Sequence, residues 1–194
     1  MATLVRRSAT YEDLLRRSRQ PVEEIVDGGL YASGRPPVAC ALAASGLNAA
    51  VGAGCTRRRG VPRGFWLLFD PELQLGDDIL VPDLAGWGVD RLPVGQETVA
   101  VDVVPDWVCE VLSPASEAFD REQKLPAYAR HGVAHAWVAD PARRSLEVLR
   151  REATRWVCIR RFEGAEVVSA EPFAWVDVDL LTLWGDMPPS LAAR

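Results

Sequence analysis

Two carboxylic acids stand inside segments that are otherwise apolar. Glu110 is the one charged residue of the segment from Trp107 to Leu112, and Asp83 lies within the apolar segment from Leu80 to Ala85. An ionised carboxylate in a buried strand is unfavourable unless it is paired or binds a metal ion. Two such acids on neighbouring strands would share one hard cation, because Mg²⁺ is typically held by one or two carboxylates together with water and a substrate phosphate. For either acid alone an ordinary explanation stays open: an ion pair with an arginine for Glu110, and a turn after proline for Asp83.

Lys124 is the only lysine among the 22 basic residues of the chain, and all the others are arginine. Arginine stays charged and does not readily release a proton, whereas lysine is a compact point charge whose pKa shifts with its surroundings. A catalytic amine beside a metal-bound water needs those properties. The alternative is that an arginine-rich composition leaves one surface lysine by chance.

Asp120, Lys124 and Tyr128 are spaced four residues apart. In a helix this spacing places all three side chains on one face. That face would directly follow the strand that carries Glu110. An ordinary exposed ion pair between Asp120 and Lys124 is the alternative.

The basic residues are unevenly distributed, although the net charge is −5. An acidic balance counts against a protein that binds nucleic acid through its overall charge alone, but not against a cleft that must hold carboxylates for a metal. Arg57, Arg58 and Arg59 lie together in a glycine-containing connection and are the predicted contacts to nucleic-acid phosphates. The alternative is a solvated surface, as for most arginine pairs.

Length and composition favour one domain over residues 1–194, since 48% of the residues are hydrophobic and 25% are charged. No apolar run reaches the about 18 residues that span a bilayer, and the Ala- and Gly-rich segment from Val38 to Gly54 is expected to form a packed helix. The N-terminus shows no secretory signal, and the four cysteines form no CxxC pair. We therefore expect reduced core thiols in a cytoplasmic protein that does not bind membranes.

Strand and helix patterns alternate in the centre of the chain, which predicts an α/β (mixed α+β) fold with a mixed central sheet and helices on both faces. Within the strand at Glu110, side-chain alternation places Val108, Glu110 and Leu112 on one face. The predicted helices are Tyr11–Arg17, Pro37–Val51, Phe119–His131 and Leu180–Trp184. The predicted extended segments are Val22–Val26 paired with Leu30–Ala32, Phe65–Phe69, Ile79–Trp87 with a break at Pro82, Trp107–Leu112, Ala134–Ala139, and Ser145–Arg150 paired with Arg155–Phe162.

The spacing of these residues resembles the Uma family of restriction endonucleases, which belongs to the PD-(D/E)XK nuclease superfamily. The resemblance covers roughly Tyr11 to Trp184 and is most specific from Pro105 to Pro141. Its elements are Glu24-Ile25-Val26-Asp27-Gly28, Leu75-Gly76-Asp77-Asp78, Pro82-Asp83, Glu110-Val111-Leu112-Ser113-Pro114, Asp120-Arg121, Lys124, Tyr128 and Gly132 to Pro141. It implies a restriction-endonuclease-like core and a metal-dependent endonuclease that hydrolyses DNA phosphodiester bonds.

The resemblance also assigns roles to residues. Asp83 and Glu110 would be ligands of Mg²⁺ or Mn²⁺, with the Val111 carbonyl as a third ligand. The superfamily's usual lysine lies two residues after the acid, at the position of Leu112 here, so that Lys124 on the next helix would replace it and assist the attacking water.

Other residues would support that site. Glu24 matches an N-terminal acid that approaches it, and Asp120 and Tyr128 would orient the lysine. DNA is the implied partner, and a homodimer would allow both strands to be cut.

Two departures from the family pattern imply altered activity. A histidine common at the start of the second helix is absent around Arg35 to Val38, and Gly29 stands where a larger residue is usual. The acidic balance and the missing histidine motivate a rival hypothesis, a catalytically inactive nucleic-acid-binding or regulatory module on the same fold. An unrelated phosphohydrolase is disfavoured, because the two histidines are too few for most dinuclear phosphatase sites.

Overall fold

A computed structural model describes residues 3–7, 22–55, 64–92 and 100–186, with side chains from residue 22 onward. The predicted helix Tyr11–Arg17 and the predicted phosphate contacts Arg57, Arg58 and Arg59 lie outside the described residues. The strands are β1 Thr3–Arg7, β2 Val22–Val26, β3 Gly29–Ser33, β4 Phe65–Phe69, β5 Glu72–Leu75, β6 Asp78–Leu80, β7 Leu84–Gly88, β8 Ala100–Val101, β9 Trp107–Val111, β10 His135–Asp140, β11 Ser145–Glu152, β12 Arg155–Glu163, β13 Val167–Val168 and β14 Val178–Asp179. The helices are α1 Val38–Cys55, α2 Glu117–Phe119, a π-helical turn Asp120–Lys124, α3 Leu125–His131 and α4 Leu180–Leu183.

A six-stranded mixed sheet with the order β12-β11-β10-β9-β7-β4 lies between the two larger of the three hydrophobic clusters that the described residues form. Strands β9 and β10 run parallel, and the other neighbours run antiparallel. Every residue of β7 and β9 is buried, as expected for strands that are covered on both faces. The predicted mixed central sheet is confirmed.

Helices cover both faces of this sheet, as predicted. On one face, α1 packs Leu47 and Val51 into the core that contains Cys109 and Val111. On the other face, Leu125 and other side chains of α3 pack into the core that contains Val108 and Leu112. The predicted alternation along β9 is therefore confirmed, and Glu110 points toward the 117–131 helical segment.

A second sheet, with the order β1-β3-β2-β6-β5-β8, was not predicted beyond its hairpin. The hairpin turns at Asp27 and Gly28, whose positive φ angles of 49° and 73° suit this Asp-Gly pair. The extended segment predicted from Ile79 to Trp87 is divided between the two sheets, with β6 in one and β7 in the other. The break at Pro82 therefore places Asp83 where the chain passes from one sheet to the other.

Helix α1 continues to Cys55, four residues beyond the predicted end. Glycine near this end permits close packing: a Cβ at Gly54 would lie 2.3 Å from Cγ2 of Val176. The helix is also long and apolar enough to cross a membrane, with a mean hydropathy of 1.6. Such a helix is weak evidence for a span, because core helices of soluble proteins pass the same test.

The helical segment 117–131 changes geometry in its middle, where the turn Asp120–Lys124 is π-helical. Pro126 explains this change, because it has no N–H to donate to the carbonyl of residue 122 and its ring would clash with that carbonyl in a regular α-helix. A π turn relieves the conflict, and such turns are frequent at functional sites. The segment ends at Gly132, which adopts a φ of 96°, the left-handed conformation that favours glycine after a helix.

Candidate active site

Glu110 lies near the end of central strand β9 and is only 2% exposed. Its side chain occupies the face on which Val108 and Leu112 are packed in apolar contacts. Both carboxylate oxygens have partners: Oε1 accepts a hydrogen bond of 2.7 Å from the Tyr128 hydroxyl, and Oε2 accepts one of 3.0 Å from the Lys124 amine. Partners of this kind are required if a charge is to be kept in such surroundings.

Asp83 directly precedes β7, which runs antiparallel to β9 with Leu84 opposite Cys109. Continuing this register by one residue places Asp83 opposite Glu110, and such cross-strand neighbours have Cβ atoms about 4.5–5.5 Å apart. Oδ2 of Asp83 accepts a hydrogen bond of 2.6 Å from the backbone N–H of Val111. The two predicted metal ligands are therefore neighbours at one end of the β7–β9 ladder.

Lys124 extends from the π turn into a buried position and is 4% exposed. Its amine donates to the Val81 carbonyl at 2.8 Å and to Glu110, and lies 3.2 Å from Oε1 of Glu24 and 3.9 Å from Oδ1 of Asp120. Glu24 reaches this point from β2 of the second sheet, where it also accepts the Val81 N–H at 2.8 Å. Lys124 thus links the two sheets and the helical segment.

The structure brings together the six residues that the sequence predicts for the site and its support. They are Glu24, Asp83, Glu110, Asp120, Lys124 and Tyr128. All but Tyr128 line one cleft of about 210 Å³. The cleft also contains Arg35 and Asp70, which the sequence analysis did not assign to the site. Leu112, at the superfamily's usual lysine position, is buried in the apolar core, which leaves Lys124 as the only described amine at Glu110.

Asp70 was missed because it follows an apolar strand and precedes a proline, which is also the pattern of a turn acid. Strand β4 pairs with β7 so that Phe69 faces Leu84, and the Asp70 N–H donates to the Asp83 carbonyl at 3.1 Å. Asp70, Asp83 and Glu110 consequently form a row across three adjacent strands. In the sequence, an acid directly after the apolar strand β4 was the one indication of this role, but the pairing register of β4 on β7 is needed to place Asp70 beside Asp83.

Burial controls the charge of these carboxyl groups. It raises the pKa of Asp83 to about 7, against the opposing effects of Lys124 and the Val111 N–H. Burial also raises the pKa of Glu110 well above its ordinary value, and raises the pKa values of Glu24 and Asp120. The cleft without a bound cation therefore retains protons on some of its acids near neutral pH.

The Lys124 amine keeps its charge, in contrast to these acids. Burial alone would lower its pKa, but the carboxylates led by Glu110 and Glu24 raise the pKa well above the ordinary value. Lys124 therefore remains protonated across the physiological range. A protonated amine favours a role in stabilising negative charge over removal of a proton from water.

The donor set fits a hard divalent cation held by a small number of protein ligands. Asp83 and Glu110 offer neighbouring carboxylates. Oδ2 of Asp83 accepts a hydrogen bond from the Val111 N–H, whereas Oδ1 accepts none from the described residues and is available to a ligand in the cleft. Within the described ranges, no three His, Cys, Asp or Glu side chains form a complete metal-binding group. Two neighbouring carboxylates are compatible with a hard divalent cation whose other ligands are waters and a substrate phosphate.

Replacing Tyr128 with phenylalanine is expected to lower the free energy of unfolding by about 1–3 kcal/mol, because Oε1 of the buried Glu110 loses its hydrogen bond. Urea denaturation monitored by circular dichroism measures the change. Tyr31→Phe is the matched control: the Tyr31 ring packs on Phe119, and its hydroxyl has no hydrogen-bond partner in the described part of the chain. Equal effects of the two substitutions would contradict the role given to the Tyr128 hydroxyl.

Known proteins resemble the chain in fold and in sequence. A solved structure described as a "putative nuclease belonging to DUF820", from Anabaena variabilis ATCC 29413, superposes with a TM-score of 0.74 at 18% identity, covering 91% of this chain and 98% of that chain. This likeness confirms the predicted restriction-endonuclease-like fold. No curated protein matches the chain. The sequence model of the Uma2 family, described as "Putative restriction endonuclease", matches residues 8–182, so the chain belongs to this family, as its sequence resemblance predicted.

Proposed function

We propose that this protein is a metal-dependent endonuclease that hydrolyses DNA phosphodiester bonds. The observation that carries the proposal is the pairing of Asp83 and Glu110 at the end of one strand ladder, beside a buried and protonated Lys124. Membership of the Uma2 family, and the fold shared with a protein described as a nuclease, support this activity. Use of Mg²⁺ or Mn²⁺, DNA as the substrate and the roles of individual residues belong to the proposal.

Asp83 and Glu110 would hold the cation, with the Val111 carbonyl as a further ligand. When bound, the cation supplies Lewis-acid stabilisation of the phosphate and lowers the pKa of a coordinated water. Tyr128 and Lys124 fix the orientation of Glu110 by bonding one oxygen each. This arrangement prepares the carboxylate before substrate arrives, so little reorganisation is required during the reaction.

Lys124 contributes positive charge at the centre of the site. As the phosphate passes through its pentavalent state, negative charge increases on the phosphoryl oxygens, and a fixed ammonium group in a buried position stabilises that charge. Asp120 and Glu24 hold the amine in place from two different elements. Their contacts explain why a lysine can reach Glu110 from the helical segment instead of from β9.

The size of the cleft limits what enters it. Its volume of about 210 Å³ is below the roughly 300–1,000 Å³ typical of pockets that enclose a drug-sized ligand. A single phosphodiester group fits such a space, which is small for a whole nucleotide with its base. We therefore expect the base to remain outside, and the reaction to depend on the backbone of the nucleic acid.

The rival proposal, a binding or regulatory module that cleaves nothing, draws on one specific observation. The Lys124 amine is already engaged by the Val81 carbonyl, Glu110 and Glu24, and this closed network would stabilise the fold without any reaction. The two proposals differ in one readily measured property: the rival requires no divalent cation in the cleft.

Cleavage of supercoiled plasmid DNA tests the proposed function. We expect purified protein to convert the plasmid to nicked or linear forms with Mg²⁺ or Mn²⁺ and not with EDTA, and Glu110→Gln to lower the rate at least about a hundredfold. Glu163→Gln is the matched control, because Glu163 is an exposed carboxylate on edge strand β12. Equal cleavage by the wild type and Glu110→Gln, or no cleavage by any of them, would contradict the proposal.

A further inference from the structure

The cleft has an excess of acidic groups among the described residues that line it. Five carboxyl groups face two cationic side chains, Lys124 and Arg35; the acids are Glu24, Asp70, Asp83, Glu110 and Asp120. The Lys124 amine is already within 4 Å of three of these acids. A phosphodiester that approaches the cleft therefore needs a further source of positive charge on the protein.

Arg35 is the described cation that remains for this purpose. Its side chain is exposed at the mouth of the cleft, and it makes no hydrogen bond or ion pair with any described residue. Two other exposed arginines, Arg161 of β12 and Arg144 of the turn before β11, offer a contrast, because they are paired with Glu163 and Asp186. Because Arg35 is exposed and has no partner among the described residues, it is available to an incoming anion.

The chain around Arg35 fixes the position from which its side chain extends. Pro36 and Pro37 follow it directly, and α1 begins at the next residue, Val38. Each proline has a fixed φ, and a residue before proline is confined to extended conformations. Arg35 is thus held relative to α1 and the cleft, which lowers the conformational entropy lost when it binds a ligand.

The start of α1 adds a smaller effect of the same sign. No acidic residue lies in its first turn. The N-terminal end of an 18-residue helix carries partial positive charge, which favours anions within about one turn. The electrostatic potential at the mouth of the cleft is therefore more positive than the potential at its acidic floor.

We propose that Arg35 binds a backbone phosphate of the DNA substrate and so positions the scissile phosphodiester over Asp83 and Glu110. A guanidinium group suits this role, because its planar donors bind two phosphate oxygens at once. The inference rests on the proposed function, since it names the residue by which the same site holds its substrate. It concerns binding of the substrate and no step of bond cleavage.

Salt-dependent binding tests this inference without relying on cleavage. The probe is a fluorescein-labelled 20-base-pair DNA duplex, followed by fluorescence anisotropy in Ca²⁺ at several salt concentrations. We expect Arg35→Gln to raise the Kd about five- to twentyfold and to reduce the slope of log K against log salt by about one, the loss of one phosphate contact. Arg35→Lys should retain the slope with an intermediate Kd, because it keeps the charge and loses the bidentate geometry.

Arg160→Gln is the matched control, since Arg160 is an exposed arginine on β12, the edge strand of the mixed sheet farthest from β4 and β7. Its Kd and slope should equal those of the wild type, and thermal melting should show that both glutamine variants fold. This inference would be overturned if Arg35→Gln left the salt-dependence slope unchanged, or if Arg160→Gln reduced it equally. The proposed nuclease activity would still stand if the wild type cleaves plasmid. Absence of DNA binding by the wild type would overturn both.

Discussion

Replacing Lys124 with methionine is expected to lower the rate of DNA cleavage at least about a hundredfold, an effect comparable to removal of one charge-stabilising donor in other enzymes. The amine contacts Glu110, Glu24 and the Val81 carbonyl, so its loss removes the positive charge from the middle of the site. Methionine has a similar length and is apolar, so it tests the charge more than the volume. The measurement is single-turnover cleavage of labelled DNA with saturating metal.

The same substitution should also destabilise the protein, in a way that depends on pH. Removing one partner of a buried ion pair costs about 3–5 kcal/mol when the other partner remains charged. The pKa of Glu110 should then rise further, so that the carboxyl group is protonated and the loss is smaller at pH 5 than at pH 8. Urea denaturation at the two pH values measures this difference.

Lys124→Arg provides a second variant in case the methionine variant does not fold. Arginine keeps the charge, but its planar guanidinium group is larger and cannot make the contacts of a compact ammonium group at Val81 and Glu110. We expect this variant to fold and to cleave DNA at least about tenfold more slowly than the wild type. Wild-type rates for either folded variant would contradict the role given to Lys124.

Replacing Asp83 with asparagine is expected to abolish metal binding while leaving the fold at least as stable. Asparagine keeps the shape of the side chain and the hydrogen bond from the Val111 N–H, but carries no charge. Isothermal titration with Mn²⁺ should show one site in the wild type and none in Asp83→Asn. Asp90→Asn is the matched control, because Asp90 is exposed beyond the opposite end of β7 and should not affect the titration.

The raised pKa of Asp83 predicts how stability depends on pH. Burial raises the pKa to about 7 in the folded state, from the ordinary value of 3.8. Between these two values the folded protein binds more protons at Asp83 than the unfolded chain, so the contribution of Asp83 to stability is full below pH 3.8 and is lost as pH rises toward and through 7. The free energy of unfolding of the wild type without metal should therefore fall between pH 5 and pH 8.

Asp83→Asn and added metal should each remove part of this decline. The asparagine cannot ionise, so the variant should be more stable than the wild type at pH 8 and similar to it at pH 4. A saturating cation stabilises the folded wild type by mass action, by about 2.7 kcal/mol at a concentration one hundred times its Kd, and should have no such effect on the variant. A wild type whose stability rises over this pH range, or a variant stabilised equally by the cation, would contradict the role given to Asp83.

Much of the site was predictable, because burying a charged carboxylate in an apolar strand is energetically unfavourable and such a residue indicates a functional role. Glu110 interrupts an otherwise apolar strand, and alternation correctly placed it on the face of Val108 and Leu112. The four-residue spacing brought Lys124 and Tyr128 to one side of the helical segment, and both contact Glu110. These inferences needed only the local periods of strands and helices.

The features that were missed depend on pairing between distant segments or on local strain. Asp70 joins the site only through the register of β4 on β7, which the sequence does not specify. The second sheet brings Glu24 to Lys124 across about a hundred residues of chain, and only the family resemblance indicated this contact. Local patterns predicted a helix from Phe119 to His131, but not the π turn that Pro126 imposes on its first half.

A crystal structure with bound Mn²⁺ tests the proposed metal site most directly, through the anomalous signal of the ion. We expect one Mn²⁺ in the cleft, about 2.0–2.2 Å from a carboxylate oxygen of Asp83 and one of Glu110, with Lys124 still adjacent to Glu110. In crystals of Asp83→Asn the same peak should be absent. An empty cleft in the wild type at saturating Mn²⁺, or an ion bound away from both acids, would contradict the assignment of Asp83 and Glu110 as metal ligands.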